Sequence, residues 1–155
     1  MSDELPPNAI AVIGMAGKFP GADSLSEFWD NLSRGVESVT TLSEEALTAA
    51  GVSPATLADP AYVRRAAMLN GIEEFDADYF GMTPYTARMM DPQQRLLLQT
   101  AVHAFEDSGY DPDTFDGAIG AFASSTASGY LMDNLMSHRD IKTMVGEGIT
   151  VEMFN

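Results

Sequence analysis

The stretch TPYTARMMDPQQRLLLQTAVHAFEDSGY, residues 83–110, constrains this chain more than any other. Thr83 ahead of Pro84 opens a short helix with a capping hydroxyl and a proline at the first helical position. Asp91, Pro92 and Gln94 then make a second start: an acidic cap, a proline where no N–H is needed, and a glutamine at the third position. From there Leu96, Leu97, Leu98, Ala101, Val102, Ala104 and Phe105 spread apolar groups around much of the helix circumference. Such a helix is expected to be largely buried, with Gly109 ending it. Two short apolar runs stand on either side of it in the sequence, AIAVIG at 9–14 and AIGAFASS at 118–125. Their length and β-branched content suit strands covered on both faces, and Gly120, Ala121, Ala123 and Ser124 would let a neighbour approach closely. Buried strands alternating with a buried helix predict an α/β fold.

The remaining elements follow from local signals. In SLSEFWDNLSRG, Ser24 and Glu27 have capping-box spacing, and Leu25, Phe28, Trp29 and Leu32 fall on one helical face. Gly35 closes that helix, and Trp29 is expected in the core. Residues 36–75 are less regular: a short helix is predicted over 43–51, and Ser53 with Pro54 marks another start. Arg64 and Arg65 are read as surface or ion-pairing residues. A further helix is predicted over 129–137, and residues 1–8 read as a short mobile lead-in. There are no internal repeats and no low-complexity tract.

A chain of 155 residues fits one domain, able to bury about two-thirds of its unfolded surface. Eight Lys and Arg stand against 23 Asp and Glu, a formal net charge of −15. That balance argues against nucleic acid, which needs a basic footprint, and against an anionic membrane surface; solubility is its plain explanation. Without cysteine there is no disulfide, no thiolate metal site and no cysteine nucleophile in these residues. No apolar run approaches the ~18 residues of a membrane span, and MSDELPPN is neither a signal nor a transit peptide. A cytoplasmic location is expected.

The glycine-rich stretch IAVIGMAGKFPG, residues 10–21, invites a phosphate-binding reading that fails on spacing. Counting G-x-G-x-x-G from Gly14 meets Ala16 and Phe19, and the P-loop pattern around Gly17 and Lys18 meets Val12 and Phe19. It reads as a strand followed by a tight loop. His103 and His138, the only histidines, are read as helix-associated residues rather than a metal pair, His103 as partly buried. Glu73 with Glu74, and Glu106 with Asp107, are adjacent and so diverge, which makes them solvated or structural. Ser124, Ser125, Thr126 and Ser128 lack a nucleophile elbow. The ten methionines read as core filler, a Met-rich partner groove being the alternative.

Longer stretches carry a resemblance. IAVIGMAGKFPGADSLSEFWDNLSRGVESV is similar to the opening of a β-ketoacyl synthase (ketosynthase) domain of a modular type I polyketide synthase. FDADYFGMTPYTARMMDPQQRLLLQTAVHAFEDSGYDP and GAIGAFASSTASGYL resemble the next two segments of that family, in family order and spacing, over nearly all of residues 9–155. LADPAYVRRA and SGYLMDNLMSHRD further resemble the synthases of long-chain, phthiocerol-like lipid polyketides. Val102 and His103 depart from the family's frequent Trp-Glu, Ala66, Ala67 and Met68 from Gly-Gly-Phe, and Tyr85 and Thr86 from Arg-Glu. These read as packing or surface changes that bear on the subfamily.

The resemblance implies a thiolase-like α/β fold of which only the N-terminal portion is present: 1–8 as lead-in and 9–155 as an incomplete ketosynthase domain. It implies that the glycines of GMAGKFPG make a structural turn. The family's chemistry, in polyketide and fatty-acid-like biosynthesis, is decarboxylative Claisen condensation by a nucleophilic cysteine and two histidines, all C-terminal to the matched region. No catalytic, cofactor-binding or metal residue carries over to this chain, which alone is expected to be inactive and to leave strands without neighbours. No cofactor is expected to bind directly, the substrate arriving on the phosphopantetheine arm of an acyl carrier protein. The implied partners are the rest of the ketosynthase, neighbouring synthase domains, the acyl carrier protein and a second copy in a homodimer, with neither nucleic acid nor membrane. A lead-in without coiled-coil heptads suggests a ketosynthase near the start of its polypeptide. The competing expectations are a non-catalytic ketosynthase-like scaffold or carrier-binding module, and an unrelated nucleotide-binding α/β domain.

Overall fold

Each of the five helices among the described residues begins at a residue whose side-chain oxygen takes a free N–H of the first turn, so capping decides where the elements lie. The computed structural model describes residues 6, 8–126 and 128–130, in two units. One comprises residues 17–71; the other joins 1–16 to the chain from 72 onward.

In the unit of residues 17–71, a one-bridge hairpin between Phe19 and Ala22 leads into α1, Leu25–Arg34. The Ser24 hydroxyl accepts from the Glu27 N–H, while the Glu27 carboxylate accepts from the Asp23 N–H at 2.8 Å, a variant of the expected capping box. Gly35, at φ 66°, ends the helix: its N–H and that of Val36 reach back to the Leu32 and Asn31 carbonyls. Phe28 stacks on Phe19, ring centroids 4.0 Å apart, and Ala22, the bridge partner of Phe19, is buried. Trp29 does not follow it inward: it is 71% exposed, correcting the expectation of a core residue. The described neighbours of α1 cover only the Leu25 and Phe28 side of its apolar face.

The same unit holds a strand pair that the sequence does not announce. β1, Val39–Thr41, runs antiparallel to β2, Arg65–Ala67, with Thr40 opposite Ala66. Between them lie α2, Glu44–Ala49, capped by Ser43, and α3, Pro54–Leu57, capped by Ser53, which bury Leu47 and Leu57. Arg64 and Arg65 hold this arrangement by ion pairs, as expected, Arg64 with Glu44 at 3.2 Å and Arg65 with Glu37, and Arg64 also donates a hydrogen bond to the Leu57 carbonyl at 2.7 Å.

In the other unit α4, Pro84–Met89, precedes α5, Pro92–Ser108, at the two expected starts. Thr83 caps α4, Asp91 caps α5, and Gly109, at φ 72°, ends the latter. Phe80 stacks on Phe75 at 4.9 Å and meets Tyr79 edge-on at 5.0 Å. Gly14 lies so close to α5 that a β-carbon on it would stand 2.4 Å from the Ala104 carbonyl oxygen, and the Met15 N–H donates to Asp107 at 2.8 Å.

Three expectations are corrected in this unit. Residues 9–14 and 118–125 form no strand among the described residues, and their apolar side chains are exposed, Ile10 at 94% and Phe122 at 100%. A strand exists only as one side of a ladder, and no described segment pairs with either run. For the same reason α5 is half-buried at Leu96, Leu98, Val102 and Phe105 rather than enclosed. The helix predicted over 129–137 lies outside the described residues from 131 onward, as does nearly all of the lead-in.

Candidate functional site

The most enclosed chemistry among the described residues lies at the start of α5. Asp91 caps the helix through the Gln93 N–H at 2.8 Å, which fixes the first turn and turns Arg95 inward. Arg95 is only 9% exposed, the one charged side chain buried among the described residues. Its Nε has no hydrogen-bond partner.

Arg95 lines a cleft of about 550 Å³. Phe75, Pro84 and Ala87 supply its apolar surface, Glu73, Asp76 and Asp78 its carboxylates, and Arg88 a second guanidinium. Tyr130 closes one side, its hydroxyl donating to the Arg88 carbonyl at 2.8 Å. Asp76 is partly engaged, accepting the Tyr79 N–H at 3.0 Å. The cleft can bind a charged or hydrogen-bonding group. Among the described residues it offers no cysteine, histidine or hydroxyl held against a base, and so no constellation for covalent or acid–base chemistry.

Next to the cleft, Gln93 fastens Thr126 from both ends of its amide: Nε2 donates to the Thr126 carbonyl at 3.2 Å, and Oε1 accepts from the Thr126 N–H and hydroxyl at 3.3 and 3.2 Å. That gives one of the four hydroxyl residues noted in the sequence a positional role. Ser128 has another, taking the Tyr130 N–H at 3.1 Å.

The other polar residues stand apart. His103 is exposed on α5, a correction to the partly buried position expected for it. Asp107, one turn beyond His103 at the i+4 position that a metal pair would use, is occupied by the Met15 N–H. His138 lies outside the described residues. No three His, Cys, Asp or Glu side chains among the described residues come together as a metal site would require. Sequence reasoning passed over Arg95. The available signal was its position: Arg95, Leu98, Gln99 and Val102 share one α5 face, and Leu98, Gln99 and Val102 are half-buried. A cation on an inward-facing stripe demands a partner.

This partial α/β assembly is shared with solved condensing domains. Ketosynthase twelve of the bacillaene polyketide synthase of Bacillus amyloliquefaciens matches with a TM-score of 0.58 and 43% identity, over 64% of this chain and 18% of that one. The ketosynthase of module 6 of the bacillaene synthase of Bacillus subtilis 168 matches with a TM-score of 0.57 and 36% identity, over 67% of this chain and 17% of that one. The structure is therefore a portion of a thiolase-like ketosynthase fold. The model of the β-ketoacyl synthase N-terminal domain matches residues 7–153, and the chain belongs to that family. Among curated relatives, one of the subunits of the phenolphthiocerol/phthiocerol polyketide synthase of Mycobacterium tuberculosis is 58% identical over 151 residues, which are 97% of this chain and 10% of that protein. The chain thus spans about a tenth of that relative's length. No helix among the described residues is long and apolar enough to cross a membrane.

Proposed function

We propose that this chain is the N-terminal part of a ketosynthase domain, with 1–8 as lead-in and 9–155 as the incomplete domain. Its parent carries out decarboxylative Claisen condensation in polyketide assembly, an acyl transfer. An acyl chain is held as a thioester on a cysteine; the malonyl-type extender on a carrier protein loses carbon dioxide; the resulting carbanion attacks the acyl thioester and expels the cysteine thiolate. Two histidines stabilise the charge that develops on the extender's thioester oxygen. What carries this reading is the family match across 7–153 together with 58% identity to part of a phthiocerol polyketide synthase.

This chain holds no cysteine, so on this reading it condenses nothing by itself. Its role is structural: to supply helices and apolar surface to the domain whose other parts carry the chemistry. The phosphopantetheine arm of an acyl carrier protein presents the substrate, the parent is a cytoplasmic homodimer, and the synthase belongs to the group that builds long-chain lipid polyketides. The test is peptide mapping of the native polypeptide combined with labelling by a reactive acyl thioester. Label on a cysteine beyond residue 155 is the expected result. A native chain that takes up no label would overturn the catalytic reading and favour a ketosynthase-like scaffold.

A further inference from the structure

We propose that the Arg95 cleft is a socket for a carboxylate side chain borne by the rest of the same condensing domain. This inference rests on the reading of the chain as part of one. The guanidinium cannot shed its proton, so a buried Arg95 is costly until acceptors are supplied to it. Its Nε has none. The acids around it are not paired with it: the ion pairs among the described residues join Lys18, Arg34, Arg64 and Arg65 to acids of residues 17–71, leaving Arg95 out.

The chemistry of the occupant follows from the donor. A guanidinium presents a planar fork that two carboxylate oxygens match, whereas a single carbonyl would leave part of it unsatisfied. Phe75, Pro84 and Ala87 give the cleft apolar walls, against which such a pair is poorly screened. The source follows from charge. With a net charge of −15, and with Glu73, Asp76 and Asp78 in the same lining, the chain repels a free anion arriving from solution. A carboxylate fixed on the same polypeptide arrives at high effective concentration and overcomes that repulsion once, on folding. The matched segment is a tenth of its relative, so most of such a polypeptide lies outside it.

The experiment is a crystal structure of the complete condensing domain, grown without carboxylate or phosphate additives, beside thermal unfolding of its Arg95→Gln and Arg95→Lys variants. The expected structure has a carboxylate oxygen from a residue beyond 155 within about 3 Å of Arg95 Nε. Arg95→Gln is expected to lower the unfolding midpoint by several degrees, and Arg95→Lys by less, because it keeps the charge and loses the fork. Arg95 bonded to Glu73, Asp76, Asp78 or any other acid of residues 1–155, or facing only water or a free ion, overturns the proposal, as does an Arg95→Gln midpoint equal to that of the parent. A native polypeptide that ends at residue 155 would overturn both readings. A longer, active domain with an indifferent Arg95 would overturn this one alone.

Discussion

Gly14 shows how one missing side chain can decide a contact. Nothing in its backbone demands glycine, since its φ is not in the left-handed range; the demand comes from α5, whose Ala104 carbonyl and Ser108 side chain occupy the place of a β-carbon. Gly14→Ala is therefore expected to push residues 8–16 off the helix and break the Met15–Asp107 hydrogen bond, at a cost of about 1–3 kcal/mol in chemical denaturation. An unchanged midpoint would show that this approach contributes nothing. Gly21 is the contrasting case. Its φ of 75° asks for glycine whatever surrounds it, and a β-carbon would also meet the Ser38 hydroxyl at 2.8 Å. The sequence marks both as glycines of one loop; only the structure separates a close approach from a left-handed turn.

The elements are set by their caps, and α2 makes that measurable. Ser43 accepts the Ala46 N–H, and it also hydrogen-bonds the Glu45 carboxylate. The backbone N–H of Glu45 first, and the Ser43 side chain second, hold the Glu45 carboxyl below its ordinary value of 4.5. The folded form thus favours the carboxylate, so this contribution is present above the unfolded value and is lost as pH falls through the lower, folded one. Ser43→Ala should raise the Glu45 midpoint toward 4.5 in a carbon-detected NMR titration, and should cost about 1 kcal/mol through loss of the cap. A midpoint that stays low in the variant would assign the whole shift to the backbone. Capping signals were legible for four of the five helices among the described residues, because Ser24, Ser53, Thr83 and Asp91 act within one turn. The β1–β2 pair was not legible: there are only three residues a side, β1 is exposed throughout, and the paired residues stand 24 to 28 positions apart.

Across the whole molecule the telling feature is apolar surface without cover. Ile10, Val12 and Phe122 are largely exposed, as is Trp29 on α1. Where such groups adjoin one another they mark a surface for a partner. Trp29 is the sole tryptophan of the chain, so its fluorescence reports one site. The 155-residue chain should show the red-shifted emission of a solvated indole, and in a complete ketosynthase domain the difference spectrum between parent and Trp29→Phe should be blue-shifted. A solvated signal in both would mean that this face stays open in the working enzyme.

The order of amino acids alone settles what acts over short range or through many residues at once. Helix starts and stops depend on hydroxyls, carboxylates, prolines and glycines a few positions away, and family membership rests on three long stretches in fixed order. Burial could not be read in this way. The apolar runs at 9–14 and 118–125, Trp29 and the outer side of α5 all have the composition of a core, yet a core needs atoms from other parts of a chain, and the sequence of one segment does not say which of them are within reach. Arg95 is the reverse case, a charge that the tertiary structure buries because it shares a face with Leu98 and Val102. Local hydrogen bonding is settled by neighbours in sequence, and enclosure only by neighbours in space.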